Sequence, residues 1–522
     1  MIDLLTLIQN LPRSLFVNVF VIMLILFYIY FFFNYQLFSP IFKTLRKNKL
    51  FFFSIFLLML FLSFINGWHS KIYYYEPEII VNSLMVFRHL FPRDIYPCPL
   101  GFAVLISFFN TESYFYSQLV GRFVSFLSTF FSSVVLFMIF RRFNVDKKLS
   151  YLFVFLFSIA PYNIYYLTLN KPESLAVFFL LFFIYLFHVY VFDKRKDLFW
   201  PLYILSLLLS LIRYELIILT FFFFIFFVLH SKRKVRHYIL LYIILIIFIF
   251  LGSILIFSGE NSYLKNEENL ILFNLKNILN SFFLKIIKTF WLILFIFYLF
   301  FILRSLKFLK KKKQIHFFLF LFFLFIFFIL IYSTYDYSYH SRYEKMIYPF
   351  LFIGLSVLNR NNSSRTSKIS DVVFLLFVII FVIFSISNYF SIRHEISNML
   401  ITDKILIDLQ KNKFCFKSSL LYSPVYLPKS LMEDLNFVKI MPSLFDYSYF
   451  ENIYNKKYEK LRYLYLIEHF TLTNPSNIPK EILSLRGTKE NYDKLTKFCP
   501  GLSNETKSYL IFLDKPLSQY FK

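Results

Sequence analysis

Apolar residues run through this chain in long blocks, without the strict alternation of surface strands or the narrow stripe of soluble helices. Blocks long enough to cross or nearly cross a bilayer lie near residues 14–38, 50–66, 117–140, 149–168, 173–192, 199–212, 214–230, 238–258, 286–304, 316–332, 346–358 and 371–390. A spanning helix needs about 20 apolar residues. Several blocks are short for that, and 199–230 also reads as one broken hairpin. No small-residue cleavage site follows the first run, 15–33, so it reads as a retained span and not a signal peptide. Every second connection is basic: "FKTLRKNK" (42–49), "RRFNVDKK" (141–148), "DKRKD" (193–197), "SKRKVRH" (231–237), "RSLKFLKKKKQIH" (304–316) and "NRNNSSRTSK" (359–368). Lys and Arg mark the cytoplasmic side. The alternation therefore predicts both termini outside the cytoplasm.

The expected fold is an all-α polytopic membrane protein of about 12 transmembrane helices over residues 1–390. Its first external loop, 67–116, would carry juxtamembrane helices. After 390 the pattern changes to short apolar runs with polar and Pro breaks, and "RYLYLIEHF" favours a strand. Residues 391–522 read as a small C-terminal extracytoplasmic α/β or α+β domain.

Composition sharpens this picture. The 522 residues are 58% hydrophobic, with 79 Phe and 8 Gly, which excludes an ordinary soluble domain. The net charge of +26 would suggest nucleic acid in a soluble protein. Here the basic runs act as orientation signals, and no nucleic-acid partner is expected; membrane lipids are. The three cysteines, Cys98, Cys415 and Cys499, give no metal-ligand spacing. Cys415 and Cys499 share the tail and can form one bridge if that tail is oxidised. The sequon at Asn504 reads as a chance match, and those at 361–364 fall in a loop expected to be cytoplasmic.

The candidate chemistry gathers on the other face. In "YYYEPEII", Glu76 and Glu78 flank Pro77, and "EIIVNSLMVFRHLF" then has helical spacing with an amphipathic face, as in a helix lying in the interface. A second juxtamembrane helix is expected over 100–109. Two readings of the glutamates stand: helix N-terminal caps, or a carboxylate held at the membrane surface as a general base. Asp94, in "PRD", is a further acid or an ordinary turn residue. "YSTYDYSYHSRYEKMIYP" (332–349) reads as an aromatic interfacial belt or, through Arg342, as a phosphate site. "NKPES" (170–174) and "IRYEL" (212–216) complete the set. Arg213 and Glu215 could simply pair at a helix break.

The order of these features resembles the polytopic glycosyltransferases of the C-type superfamily, particularly the protein O-mannosyltransferase and aminoarabinose-transferase branch. The acidic pair resembles Glu76 with Glu78, and the Pro-rich element "YPCPLGF" (96–102). The Arg-led span resembles "GRFVSFLSTFFSSVVLFMIFRRF", with Arg122, Arg141 and Arg142. "APYNIYYLTLNKPES", "LIRYEL" and "HSRYEKMIYP" follow in the family's order. The resemblance covers about 70–360. One departure is that the family usually places an Asp in the first-loop pair, where this chain has Tyr75 or Glu76.

The resemblance implies transfer of a sugar from a polyprenyl-phosphate carrier to a glycan, lipid or protein acceptor outside the cytoplasm, with inversion. It assigns Glu76, with Glu78 or Asp94, to base catalysis. It assigns Arg342, Arg213 and Lys171, with His340 and Tyr343 beside them, to the donor phosphate. No Gly-rich nucleotide loop is evident, which fits a lipid-linked donor. A divalent cation is possible by resemblance, although no ligand set stands out. The alternatives are a transporter or lipid flippase, which should show repeats and mid-membrane charges, and an inactive membrane scaffold.

Overall fold

The computed structural model describes residues 13–65, 71–72, 83, 86, 100–109, 114–167, 169–213, 216–230, 321, 324, 349–350, 352–353, 401–402, 405, 408–409, 411–423, 436–439, 462–466, 480–515 and 519–520. Its first part is helical. Helix α1 (Arg13–Phe33) runs through a short 3-10 turn (Tyr35–Phe38) into α2 (Ser39–Lys47) and then α3 (Lys49–Ile65). After these come α4 (Leu100–Ser107), α5 (Tyr114–Arg142), α6 (Lys147–Ser158), α7 (Pro161–Leu167), α8 (Pro172–Phe192), α9 (Phe199–Ile212) and α10 (Ile217–His230).

Two helices among the described residues, Gln118–Arg142 and Pro172–Phe192, are long and apolar enough to cross a membrane. The count is three if Val17–Phe33 and Tyr35–Lys47, bent by 65°, form one broken span. The structure departs from the expected boundaries in two places. The first helix stops at Phe33, short of the expected 38, and after the 3-10 turn a separate helix, α2, begins, with Pro40 in its first turn, where a missing N–H costs nothing. The span expected over 149–168 is broken, because Pro161 cannot donate into the end of α6 and starts α7 instead. The expected spans beyond residue 230 lie outside the described residues, apart from isolated helical positions at 321, 324, 349–350 and 352–353.

Helix α5 is the central post. It packs along α8, and its buried hydroxyls are satisfied within apolar surroundings. Thr129 Oγ1 donates to the Ser125 carbonyl at 3.0 Å, Ser132 Oγ to Ser128 at 2.7 Å, and Ser133 Oγ lies 3.1 Å from Ser158 Oγ of α6. Small polar residues let helices approach closely without leaving an unsatisfied group. The three basic connections among the described residues come together at one end. Arg142 binds Asp193 at 2.7 Å, joining 141–148 to 193–197, and Tyr151 OH donates to Asn48 Oδ1 at 2.7 Å, joining 42–49 to the same end.

The tail carries strands. A four-stranded sheet has the order β4-β3-β5-β6, from β3 (Ser419–Ser423), β4 (Asn436–Lys439), β5 (Arg462–Leu466) and β6 (Leu510–Leu513). β3 pairs in parallel with both β4 and β5, and β5 pairs antiparallel with β6. "RYLYL" is thus a strand, as its aromatic content predicts. Helices α11 (Lys480–Leu485) and α12 (Lys489–Phe498) pack on β6, with α13 (Asn504–Lys507) before it. Asn491 stitches α12 to β6, donating to the Leu510 carbonyl at 3.0 Å and accepting from the Phe512 N–H at 2.9 Å. Cys415 and Cys499 are joined, with Cα atoms 5.6 Å apart and a separation of 84 positions in sequence. Closing a loop of that length restricts the unfolded chain by about 4–5 kcal/mol on the entropy account. A two-residue antiparallel pair, β1 (Lys71–Ile72) with β2 (Ile401–Thr402), ties the start of the first expected external loop to the tail.

Candidate active site

The end of the bundle opposite the basic connections holds the unusual chemistry. Along α5, Gln118, Gly121, Arg122 and Ser125 recur at helical spacing on one face, and all four are buried. Arg122 lies about 30 Å along the helix from Arg142, roughly a bilayer core away. That face meets the turn before α8. Gly121 has no side chain there because Asn170 fills the space: a Cβ would sit 2.0 Å from Asn170 Oδ1. One turn on, Ser125 Oγ donates to the Lys171 carbonyl at 3.2 Å.

Helix α8 starts abruptly. Lys171 is extended (φ −140°, ψ 150°), and Pro172 presets the first turn. Lys171 supplies no side-chain cap, although Ser, Thr, Asp and Asn are the usual residues here. A cation at this pole opposes the helix dipole. Glu173, in the first turn, complements it. Arg213 ends α9, where its charge suits the carbonyl pole, and its backbone N–H closes on the Leu209 carbonyl at 2.9 Å. Its guanidinium reaches across to Glu173, Nη1 to Oε1 at 2.9 Å, with side-chain exposures of 5% and 1%. Helix α4 braces this corner. Gly101 lies so close to Ile212 that a Cβ would meet its backbone at 3.0 Å, and the Gly101 carbonyl accepts from Tyr28 OH at 2.7 Å.

Of the expected site residues, Lys171 and Arg213 are described, and the structure brings them to one buried corner. Arg213 pairs with Glu173, 40 positions earlier in the chain, whereas the sequence pointed to Glu215, which lies outside the described residues. Glu76, Glu78, Asp94, His340, Arg342 and Tyr343 also lie outside them. In the first expected juxtamembrane helix only Ser83 and Val86 are described, both helical and buried. The second exists as α4, but it is buried on nearly every side. Sequence reasoning quoted "NKPES" without giving Glu173 a role. Its signal was an acid directly after the Pro that starts an apolar helix.

Among the described residues, Arg122, Lys171, Glu173 and Arg213 are all buried at this end of the bundle, with Glu173 and Arg213 paired. Buried cations beside a helix N-terminus suit an anion, and a planar guanidinium suits phosphate oxygens. Among the described residues, no three His, Cys, Asp or Glu side chains gather as a metal set.

An apolar helical bundle with one basic end and one end of buried, paired charge fits an integral membrane protein with its chemistry at a membrane face. Residues 98–257 match the family described as dolichyl-phosphate-mannose-protein mannosyltransferase. The match supports a polytopic glycosyltransferase of the protein O-mannosyltransferase and aminoarabinose-transferase type, and at that level a membrane transferase using a polyprenyl-phosphate sugar. It contains Arg122, Lys171, Glu173 and Arg213, and leaves Glu76, Glu78, Asp94, His340, Arg342 and Tyr343 outside. No curated protein matches the chain.

Proposed function

We propose that this protein moves a sugar from a polyprenyl-phosphate carrier to an acceptor on the extracytoplasmic side, with inversion. The acceptor is a glycan, lipid or protein. About 12 spans hold the prenyl chain in an apolar groove. The observation that carries the reading is the buried corner of Arg122, Lys171, Glu173 and Arg213, within the stretch that matches the mannosyltransferase family and opposite the basic connections.

The acceptor hydroxyl attacks the anomeric carbon while the bond from that carbon to the phosphate oxygen breaks. The bonding pair leaves with the polyprenyl phosphate, and the hydroxyl proton goes to the carboxylate of Glu76. Glu78 or Asp94 orients the acceptor. Arg213 and Lys171, with Arg342, His340 and Tyr343 from the later outer loop, offset charge growing on the phosphate. Arg is suited to this because its fork matches two phosphate oxygens at once.

The test is transfer from radiolabelled polyprenyl-phosphate sugars by purified protein in nanodiscs, wild type beside Glu76→Gln. Loss of about 10²-fold or more in the variant, with normal folding, supports a first-loop base. Unchanged transfer would remove Glu76 from that role. No transfer by the wild type from a broad donor panel would overturn the transferase reading.

A further inference from the structure

We propose that Glu173 is a positioning residue for Arg213: it fixes the guanidinium at the buried corner and so sets the affinity for the phosphate of the lipid-linked donor. This rests on the reading that Arg213 serves that phosphate. The geometry of the pair supports it. Both backbones are anchored independently, Glu173 behind Pro172 in the first turn of α8, and Arg213 at the end of α9, next to Ile212, which packs on Gly101. The two charges therefore meet at a place the fold sets and not by side-chain drift. Arginine is long and flexible, and a carboxylate that holds one edge removes most of its alternative rotamers before any ligand arrives. The hydrogen bond to Glu173 runs from Nη1 at 2.9 Å. A guanidinium carries five donors in one plane, so one group can serve a carboxylate and a phosphate together. A lysine cannot bridge both in the same way.

A pair that only supported the fold would behave differently. Its loss would lower stability and yield, and leave the affinity of folded protein for phosphate unchanged. The experiment uses full-length protein in nanodiscs and reads the Kd for labelled undecaprenyl and dolichyl phosphate, with thermal unfolding alongside. The variants are Glu173→Gln, Glu173→Asp, Arg213→Lys and the double variant Glu173→Gln/Arg213→Lys. Glu173→Gln is expected to weaken binding about tenfold, equivalent to ~1.4 kcal/mol. Glu173→Asp recovers most of that loss. The double variant binds no worse than Arg213→Lys alone, because Glu173 acts through Arg213.

An unchanged Kd in folded Glu173→Gln overturns the proposal, as do losses that multiply in the double variant. If Glu173→Gln does not fold, the comparison of Glu173→Asp with Arg213→Lys carries the test: equal affinity to wild type in both overturns it. Failure of the wild type to bind either phosphate or to transfer sugar would instead sink the transferase reading, and this proposal with it.

Discussion

Gly121 shows how a single missing side chain sets the corner. Asn170 is fully buried, and its amide stands where a Cβ at position 121 would go, 2.0 Å from Oδ1. The amide has no route to solvent, so Gly121→Ala must displace it or push α5 away from the turn. Overpacking of this kind costs about 1–3 kcal/mol. Gly121→Ala is expected to lower the unfolding temperature in detergent, and Gly121→Ala/Asn170→Ala to recover part of it. A Gly121→Ala protein as stable as wild type would mean the contact is loose. At this scale the sequence was legible in kind but not in pairing. Lys171 and Arg213 stood out because charge in apolar surroundings is costly, and Arg122 through the resemblance. The partner of Arg213 did not, because Glu173 comes near only through packing of α8 beside α9, and no local spacing encodes that contact.

Elements were more legible than pairs, because periodicity and Pro act locally. Blocks through residue 230 became helices, and the break near Arg213 fell within the expected hairpin, between α9 and α10. The misses were the end of the first span, where α1 stops at Phe33, and Pro161, where a proline inside an apolar run begins a new helix. In the tail, the strand "RYLYL" and the Cys415–Cys499 bridge were readable, but the junction at Asp408 was not. Its carboxylate accepts from Ser503 N–H and Ser503 Oγ, both at 2.8 Å, and from Asn412 Nδ2 at 3.0 Å. Partial burial raises its pKa, but hydrogen bonds involving Thr506 and Ser503 outweigh that and hold it below the usual carboxylate value. The unfolded chain, with an Asp pKa of about 3.9, therefore binds a proton more readily than the folded one. This support is present above that value and is lost as pH falls through the lower folded one. Asp408→Asn should destabilise the tail at neutral pH, with the gap to wild type closing as pH falls below the usual carboxylate range, read by proteolysis across a pH series. A gap that persists unchanged at low pH would refute this.

The described helical part is polarised end to end. The basic connections 42–49, 141–148 and 193–197 meet at one end, and Arg122, Lys171, Glu173 and Arg213 at the other. The alternation of basic loops made this polarity readable, since charge placement is a property of sequence position. The link between loop and tail was not readable, because Lys71–Ile72 and Ile401–Thr402 are too short to carry a strand pattern. Yet their register, Lys71 with Thr402 and Ile72 with Ile401, ties the chain just before Glu76 to the approach to the sheet. The pair therefore places residues 71–72 and 401–402 on one side. Facing residues of an antiparallel pair have Cα atoms about 4.5–5.5 Å apart, within the range a disulfide accepts. Lys71→Cys/Thr402→Cys, in a Cys98→Ser background, should cross-link under mild oxidation of the intact membrane protein. The readout is retention of both fragments on a non-reducing gel after proteolysis between them. Either single cysteine variant should not cross-link. A tail on the opposite side of the membrane could never bring these positions together, so the cross-link tests sidedness and register at once. Its absence would overturn the register and separate residues 401–402 from residues 71–72.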